Sequence, residues 1–148
     1  MKYTQSVDLA VHALLYMAYR TPDQPVMIRE IASHQAISES YLAKILQALA
    51  KTDLLISLRG KRGGYRLGRG PECITVGDIV RALDGDLAEF ECSYEARQCP
   101  LGPQKCFLPS VFEEARKRMF EVLDTVTLED LSLQLERIDQ RIAWIGKN

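Results

Sequence analysis

Three cysteines, Cys92, Cys99 and Cys106, share the stretch from Glu91 to Ser110 (ECSYEARQCPLGPQKCFLPS), with six residues in each interval. Pro100, Gly102, Pro103 and Pro109 keep most of this stretch out of regular structure, and a long loop within a compact domain usually serves a function. Three thiolates on one loop can converge on a single metal centre whose fourth ligand comes from elsewhere in the chain. Zinc accepts three sulfurs with one nitrogen or oxygen in a tetrahedral site. Iron held in a cluster favours thiolates as well. Either metal needs the thiols ionised. Cys106 stands at the start of a predicted helix, where unpaired backbone amides supply the positive potential that stabilises a thiolate.

The fourth cysteine, Cys73, lies outside the loop and reads as a small buried residue. His34 borders a predicted turn and reads as a surface or capping residue, with secondary metal ligation as its other role. No catalytic constellation is visible. There is no CxxC pair, and GKRGG lacks the phosphate-loop pattern and lies in a predicted hairpin rather than before a helix. No apolar run approaches the ~20 residues of a membrane span. The N-terminal MKYTQSVDLA lacks a signal-peptide pattern. A cytoplasmic location away from membranes is therefore expected, where cysteines tend to be metal ligands or redox groups.

The 148 residues suffice for one domain with a real core. The net charge of −1 speaks weakly against nucleic acid, but its distribution reverses that reading. Residues 1–71 carry ten Lys/Arg and five Asp/Glu, a balance of +5, while residues 72–148 carry nine and fifteen, a balance of −6. From Leu54 to Pro71 there are five positive residues and no negative one. Such asymmetry points to a local electrostatic footprint.

The elements that position these residues follow from apolar spacing. Val7, Ala10, Val11, Leu14, Leu15 and Ala18 predict a first helix ending before Thr21, with Asp8 in its first turn complementing the helix dipole. Ile28, Ile31 and Ala32 predict a short second helix. A turn over Gln35–Ser38 follows, then a third helix N-capped by Ser38, with Leu42, Ile45, Leu46 and Leu49 inward and Ser40, Tyr41, Lys44, Gln47 and Lys51 outward. A helix-turn-helix and a plain helical bundle both fit this pattern. The next stretch, LLISLRGKRGGYRL, tips the balance toward the helix-turn-helix, with a solvated charged hairpin as the plainer reading. It predicts strands over Leu54–Leu58 and Tyr65–Leu67 around a glycine-rich turn carrying Arg59, Lys61 and Arg62. A hairpin directly after a helix-turn-helix is a wing, and its cationic tip suits phosphates or a minor groove. A further helix is expected over Thr75–Leu83, with Thr75 and Asp78 as an approximate capping box. After the loop, Leu108, Phe112, Ala115, Met119, Val122 and Val126, widened by Val111 and Leu123, give a broad apolar face that must be buried. A second copy of the chain is its expected partner. Thr127 with Asp130 caps a last helix that folds back or pairs.

The chain resembles the IscR/NsrR-type winged-helix iron–sulfur transcription regulators over nearly its whole length. The resemblance is carried by YTQSVDLAVHALLYMA, IREIAS, ISESYLAKILQALAKTDLL, LRGKRGGYRLGR, ITVGDIVRALDG and the cysteine loop, and is most specific in SYLAKILQ with RGGYRL. It implies a mainly α fold with a small β-hairpin: a winged helix-turn-helix head over 1–84, a cluster-binding loop over 85–107, and dimerisation and C-terminal helices over 108–148. It implies a homodimer bound to double-stranded palindromic promoter DNA through Ser38, Ser40, Tyr41, Lys44, Arg59, Lys61, Arg62 and Gly63. The implied cofactor is an iron–sulfur cluster on Cys92, Cys99 and Cys106, with four irons favoured over two, that adjusts promoter binding in response to nitric oxide, redox state or iron–sulfur status. Asp8 matches the aspartate that an NsrR-like protein supplies from the other subunit. The chain departs from familiar members in three places: each cysteine interval is one residue longer, Pro109 replaces the ligating histidine of the IscR type, and Ala43 replaces a glutamate of the recognition helix. A cluster-free or zinc-containing winged-helix regulator, acting through thiol oxidation or a partner protein, is the alternative.

Overall fold

Helix α1 (Gln5–Arg20) is the bar on which the molecule is assembled. In the computed structural model, described for residues 4–20, 24–60, 63–85 and 105–138, Ala10, Ala13, Leu14 and Met17 of this helix are fully buried. Around it pack α2 (Ile28–Gln35), α3 (Glu39–Ala50), a hairpin of β1 (Leu55–Leu58) and β2 (Gly64–Leu67), α4 (Val76–Asp84) and α6 (Leu128–Ile138), while α5 (Leu108–Leu123) packs on α4. Helix α2 ends where Ala36 turns left-handed at φ 53°. The Ile37 N–H then reaches the Ala32 carbonyl and the Ala36 N–H the Ser33 carbonyl, a Schellman closure. Two residues later the Ser38 hydroxyl accepts from the Tyr41 N–H and starts α3. The expected helix-turn-helix is thus present, with Leu42, Ile45, Leu46 and Leu49 buried.

The hairpin is antiparallel, in register from Leu55 opposite Leu67 to Leu58 opposite Gly64. Each strand is within a residue of its expected bounds. Val26 and Tyr65 exchange backbone hydrogen bonds of 2.8 and 2.9 Å, which fasten the hairpin to the segment entering α2. After β2, Pro71–Cys73 form one 3₁₀ turn closed by the Cys73 N–H on the Gly70 carbonyl. Here the expected burial of Cys73 is corrected. The turn points its side chain outward beside Glu72, and Ile74 takes the buried position instead.

The expected capping boxes form at both later helices. Thr75 and Asp78 bond reciprocally at the start of α4, and Thr127 and Asp130 do so at the start of α6. An antiparallel bridge between Thr75 and Thr127 holds the two caps together, through Val76 N–H to Val126 carbonyl and Leu128 N–H to Ile74 carbonyl, each 2.9 Å. Helix α6 folds back onto α1, with Leu128 fully buried and Leu131 and Leu135 against the same core. Helix α5 is anchored near its C-terminal end. Phe120 is buried in a small cluster with Val7 and Val80, and Asp124 takes a bidentate pair from Arg81.

Candidate nucleic-acid interface and metal centre

The N-terminal end of α3 presents Ser38, Ser40, Tyr41 and Lys44 to solvent on one surface. Their side chains are not equivalent. The Ser38 hydroxyl is engaged as the helix cap and lies 3.3 Å from the Ser40 hydroxyl. The Tyr41 hydroxyl lies 3.3 Å from that of Ser6, in the first turn of α1. Gln35, at the end of α2, donates to the Leu9 carbonyl of α1. Both helices of the helix-turn-helix are therefore held by α1.

Of the wing residues, Arg59 is exposed and Gly63 is half-buried; Lys61 and Arg62 lie outside the described residues. The wing turn demands glycine at 63, because a Cβ there would stand 2.4 Å from the Leu58 carbonyl oxygen. Between the wing and the starts of α2 and α3 runs an open groove of about 390 Å³, lined by Met27, Arg29, Glu39, Leu58 and Gly63 among others. Arg29 is a groove residue that sequence reasoning missed. Its signal was its place in the first turn of a helix facing the wing, where a cation and free helical amides both suit a phosphate.

The metal-ligand candidates are less gathered. Cys106 is a half-buried free thiol two residues before α5. Cys92 and Cys99 lie outside the described residues. Asp8 is exposed on α1, its carboxylate 3.3 Å from Nδ1 of His12, and that same nitrogen is 2.8 Å from the Asp8 carbonyl. Val7, beside Asp8, shares a cluster with Phe120, and Leu108 stands about 18 Å up the axis of α5 from Phe120. Asp8 and Cys106 of one chain thus sit near opposite ends of α5, too far apart to share one ligand sphere. His34 is exposed and stacks its ring on Tyr16 at 4.8 Å between centroids. Among the described residues no three His, Cys, Asp or Glu side chains group around a common point.

Residues 3–134 match the Rrf2 family, described as "Iron-dependent Transcriptional regulator". The chain belongs to the Rrf2 family. An Rrf2 relative, the HTH-type transcriptional regulator NsrR of Bacillus licheniformis, is 33% identical over 139 residues, 93% of this chain and 96% of its own. Among solved structures, the global cysteine regulator CymR of B. subtilis superposes with a TM-score of 0.70 at 29% identity, covering 90% of this chain and 98% of its own. The T. potens IscR does so with a TM-score of 0.68 at 32% identity, covering 100% and 94%. The relatives are transcriptional regulators, and the winged helix-turn-helix reading of this Rrf2 chain is confirmed at the level of fold and family. Among the described residues no helix is long and apolar enough to cross a membrane.

Of the residues that would hold an iron–sulfur group, Cys106 and Asp8 are among those described. Cys106 is a free sulfur, one residue before Phe107, the N-cap of a 16-residue helix that has no side-chain cap. The Asp8 carboxylate is exposed, with His12 Nδ1 3.3 Å away.

Proposed function

We propose that the chain is a homodimeric regulator that binds palindromic promoter DNA. In this reading Cys92, Cys99 and Cys106 hold an iron–sulfur cluster, four-iron in preference to two-iron, completed by Asp8 of the second subunit. The observation that supports this most directly is the shape of α5. Leu108, Val111, Ala115 and Val122 form one stripe at 100° per residue, with Val111 53% and Val122 65% exposed. Phe120, which faces the head, lies almost opposite. A second copy placed on the stripe by a two-fold axis perpendicular to the helix runs its α5 antiparallel. The Cys106 end of one helix then meets the Phe120 end of the other, beside Val7 and Asp8. The separation that prevents Asp8 and Cys106 of one chain from meeting is the separation that brings them together across the dimer.

In each protomer, Ser40, Tyr41 and Lys44 face the major groove, Ser38 sets the start of that helix, and Arg59, Lys61, Arg62 and Gly63 of the wing reach the backbone or minor groove. A bound cluster supplies reactive iron to nitric oxide or oxygen. Asp8 would contribute a hard oxygen to a sulfur-rich site, a weaker ligand for iron than a thiolate. Around that chemistry the chain's own parts do the coupling. Asp8 rides on α1, and α1 is hydrogen-bonded to α2 through Leu9 and to α3 through Ser6. A pull on Asp8 is therefore passed to the recognition helices with α1, and it couples the two sites to the extent that the cluster would favour one placement of the heads over another.

Protein purified without oxygen should contain iron and acid-labile sulfide and show a cluster absorption spectrum. Asp8→Ala should remain a folded dimer with a more labile cluster, and Cys99→Ala should have none. Zinc in place of iron and sulfide would instead support a structural site. Metal-free protein whose DNA binding responds to thiol oxidants or to a partner protein would support the second reading, which the likeness to a cysteine regulator keeps in view.

A further inference from the structure

The root of α5 is built with more care than an exposed helix needs. Arg81 of α4 spends both terminal nitrogens on Asp124, Nη1 to Oδ1 and Nη2 to Oδ2, each at 2.7 Å. The same guanidinium lies over the Phe120 ring at 4.2 Å from its centroid. Gly77 makes room for the pair, since a Cβ there would stand 1.9 Å from the nearer Asp124 oxygen. The backbone bridge of Thr75 with Thr127 pins the chain just beyond the helix. A planar fork on a carboxylate fixes direction as well as distance, which a point charge does not. The joint therefore holds the angle at which α5 leaves the head.

That angle has leverage. A 16-residue helix is about 24 Å long, so a 10° change at its root moves its far end about 4 Å. One base pair of extra spacing between half-sites moves the second site 3.4 Å along the duplex and about 35° around it. These displacements are of the same size. On the reading above, in which two chains pair through α5, the joint angle is what relates one recognition helix to the other.

We propose that Arg81, Asp124 and Gly77 are specificity-determining positioning residues: without touching DNA, they set the spacing between half-sites that the dimer accepts. The inference rests on the dimeric DNA-binding reading and is independent of any cluster.

The test uses the full chain. Duplexes are first selected from a random pool with the wild type. Binding is then measured to the selected site, to the same site lengthened or shortened by one base pair at its centre, and to one half-site alone. The wild type should lose about tenfold or more on a one-base-pair change, the scale of a single defect in a specific site. Arg81→Met keeps the apolar stem over Phe120 without the fork, and Asp124→Asn keeps the shape without the charge. Each should shrink that penalty to about threefold, leaving half-site affinity within about twofold, as expected from losing one charge-assisted contact away from the DNA. Arg81→Lys, which keeps the charge without the fork, should behave like Arg81→Met. A spacing penalty unchanged in Arg81→Met and Asp124→Asn, with both still dimeric, overturns the proposal alone. So does an equal loss on every duplex including the half-site, which marks a purely structural role. A wild type that is monomeric, or indifferent to spacing, overturns the dimeric reading and the proposal with it.

Discussion

Ala36 holds the sharpest turn of the helix-turn-helix in a conformation that its own side chain resists. Its φ of 53° is left-handed, which costs an L-residue roughly 1–2 kcal/mol, and glycine is the usual occupant of this position after a helix. The exposed methyl offers nothing in return. Ala36→Gly should therefore raise stability by about 1 kcal/mol, less what the freer unfolded chain takes back. The urea midpoint should move upward with an unchanged slope; a lower midpoint would mean that the methyl packs usefully. At this scale the sequence was legible where a side chain bonds its own backbone. Thr75 with Asp78, Thr127 with Asp130, and Ser38 all cap the helices that their spacing predicted. It was illegible where direction decides. Cys73 and Ile74 are neighbours, both apolar enough to be buried, and only the 3₁₀ turn determines which of them faces in.

Among the elements, the wing joins charge to rigidity. Its strands are sewn both to each other and to Val26, with Arg59 just beyond the end of β1. Arg62→Ala should weaken DNA binding uniformly across sequences and lower the slope of log affinity against log salt by about one unit, as loss of one phosphate contact does. A salt titration showing an unchanged slope and affinity would place Arg62 off the DNA. The hairpin was readable because two short apolar runs, clustered glycines and a basic tip all spoke for the same element. Helix α5 was readable as a helix for a similar reason. What its broad apolar face packs on was harder to read, because one strip serves the head and another is left outward: Phe120 and Val122 are two residues apart, yet one is buried and the other exposed.

For the whole molecule the outward stripe has a direct consequence. Val111→Glu would put a carboxylate from each chain into the proposed contact, against the apolar stripe of the partner helix, where both would have to lose water. Sedimentation at micromolar concentration should show a dimer for the wild type and a monomer for this variant, with the head still folded by circular dichroism. A dimeric variant would move the interface elsewhere. The core of the head was legible from periodicity in its first three helices. The share contributed by α6 was not, because the sequence predicted a helix that folds back or pairs without deciding between the two; the fully buried Leu128 and the packing of α6 on α1 show that it folds back on the same chain.

The bridge between Thr75 and Thr127 also makes the chain a ring. All three loop cysteines lie inside it. The entropy of closing a flexible ring rises only with the logarithm of its length, so two extra residues in a ring of roughly fifty cost about 0.04 kcal/mol. The longer intervals between Cys92, Cys99 and Cys106 are therefore almost free as far as the head is concerned. Cysteine spacing can drift within the ring, and with it the geometry of whatever the thiols hold, while the knot that closes the ring keeps the recognition helix where it was.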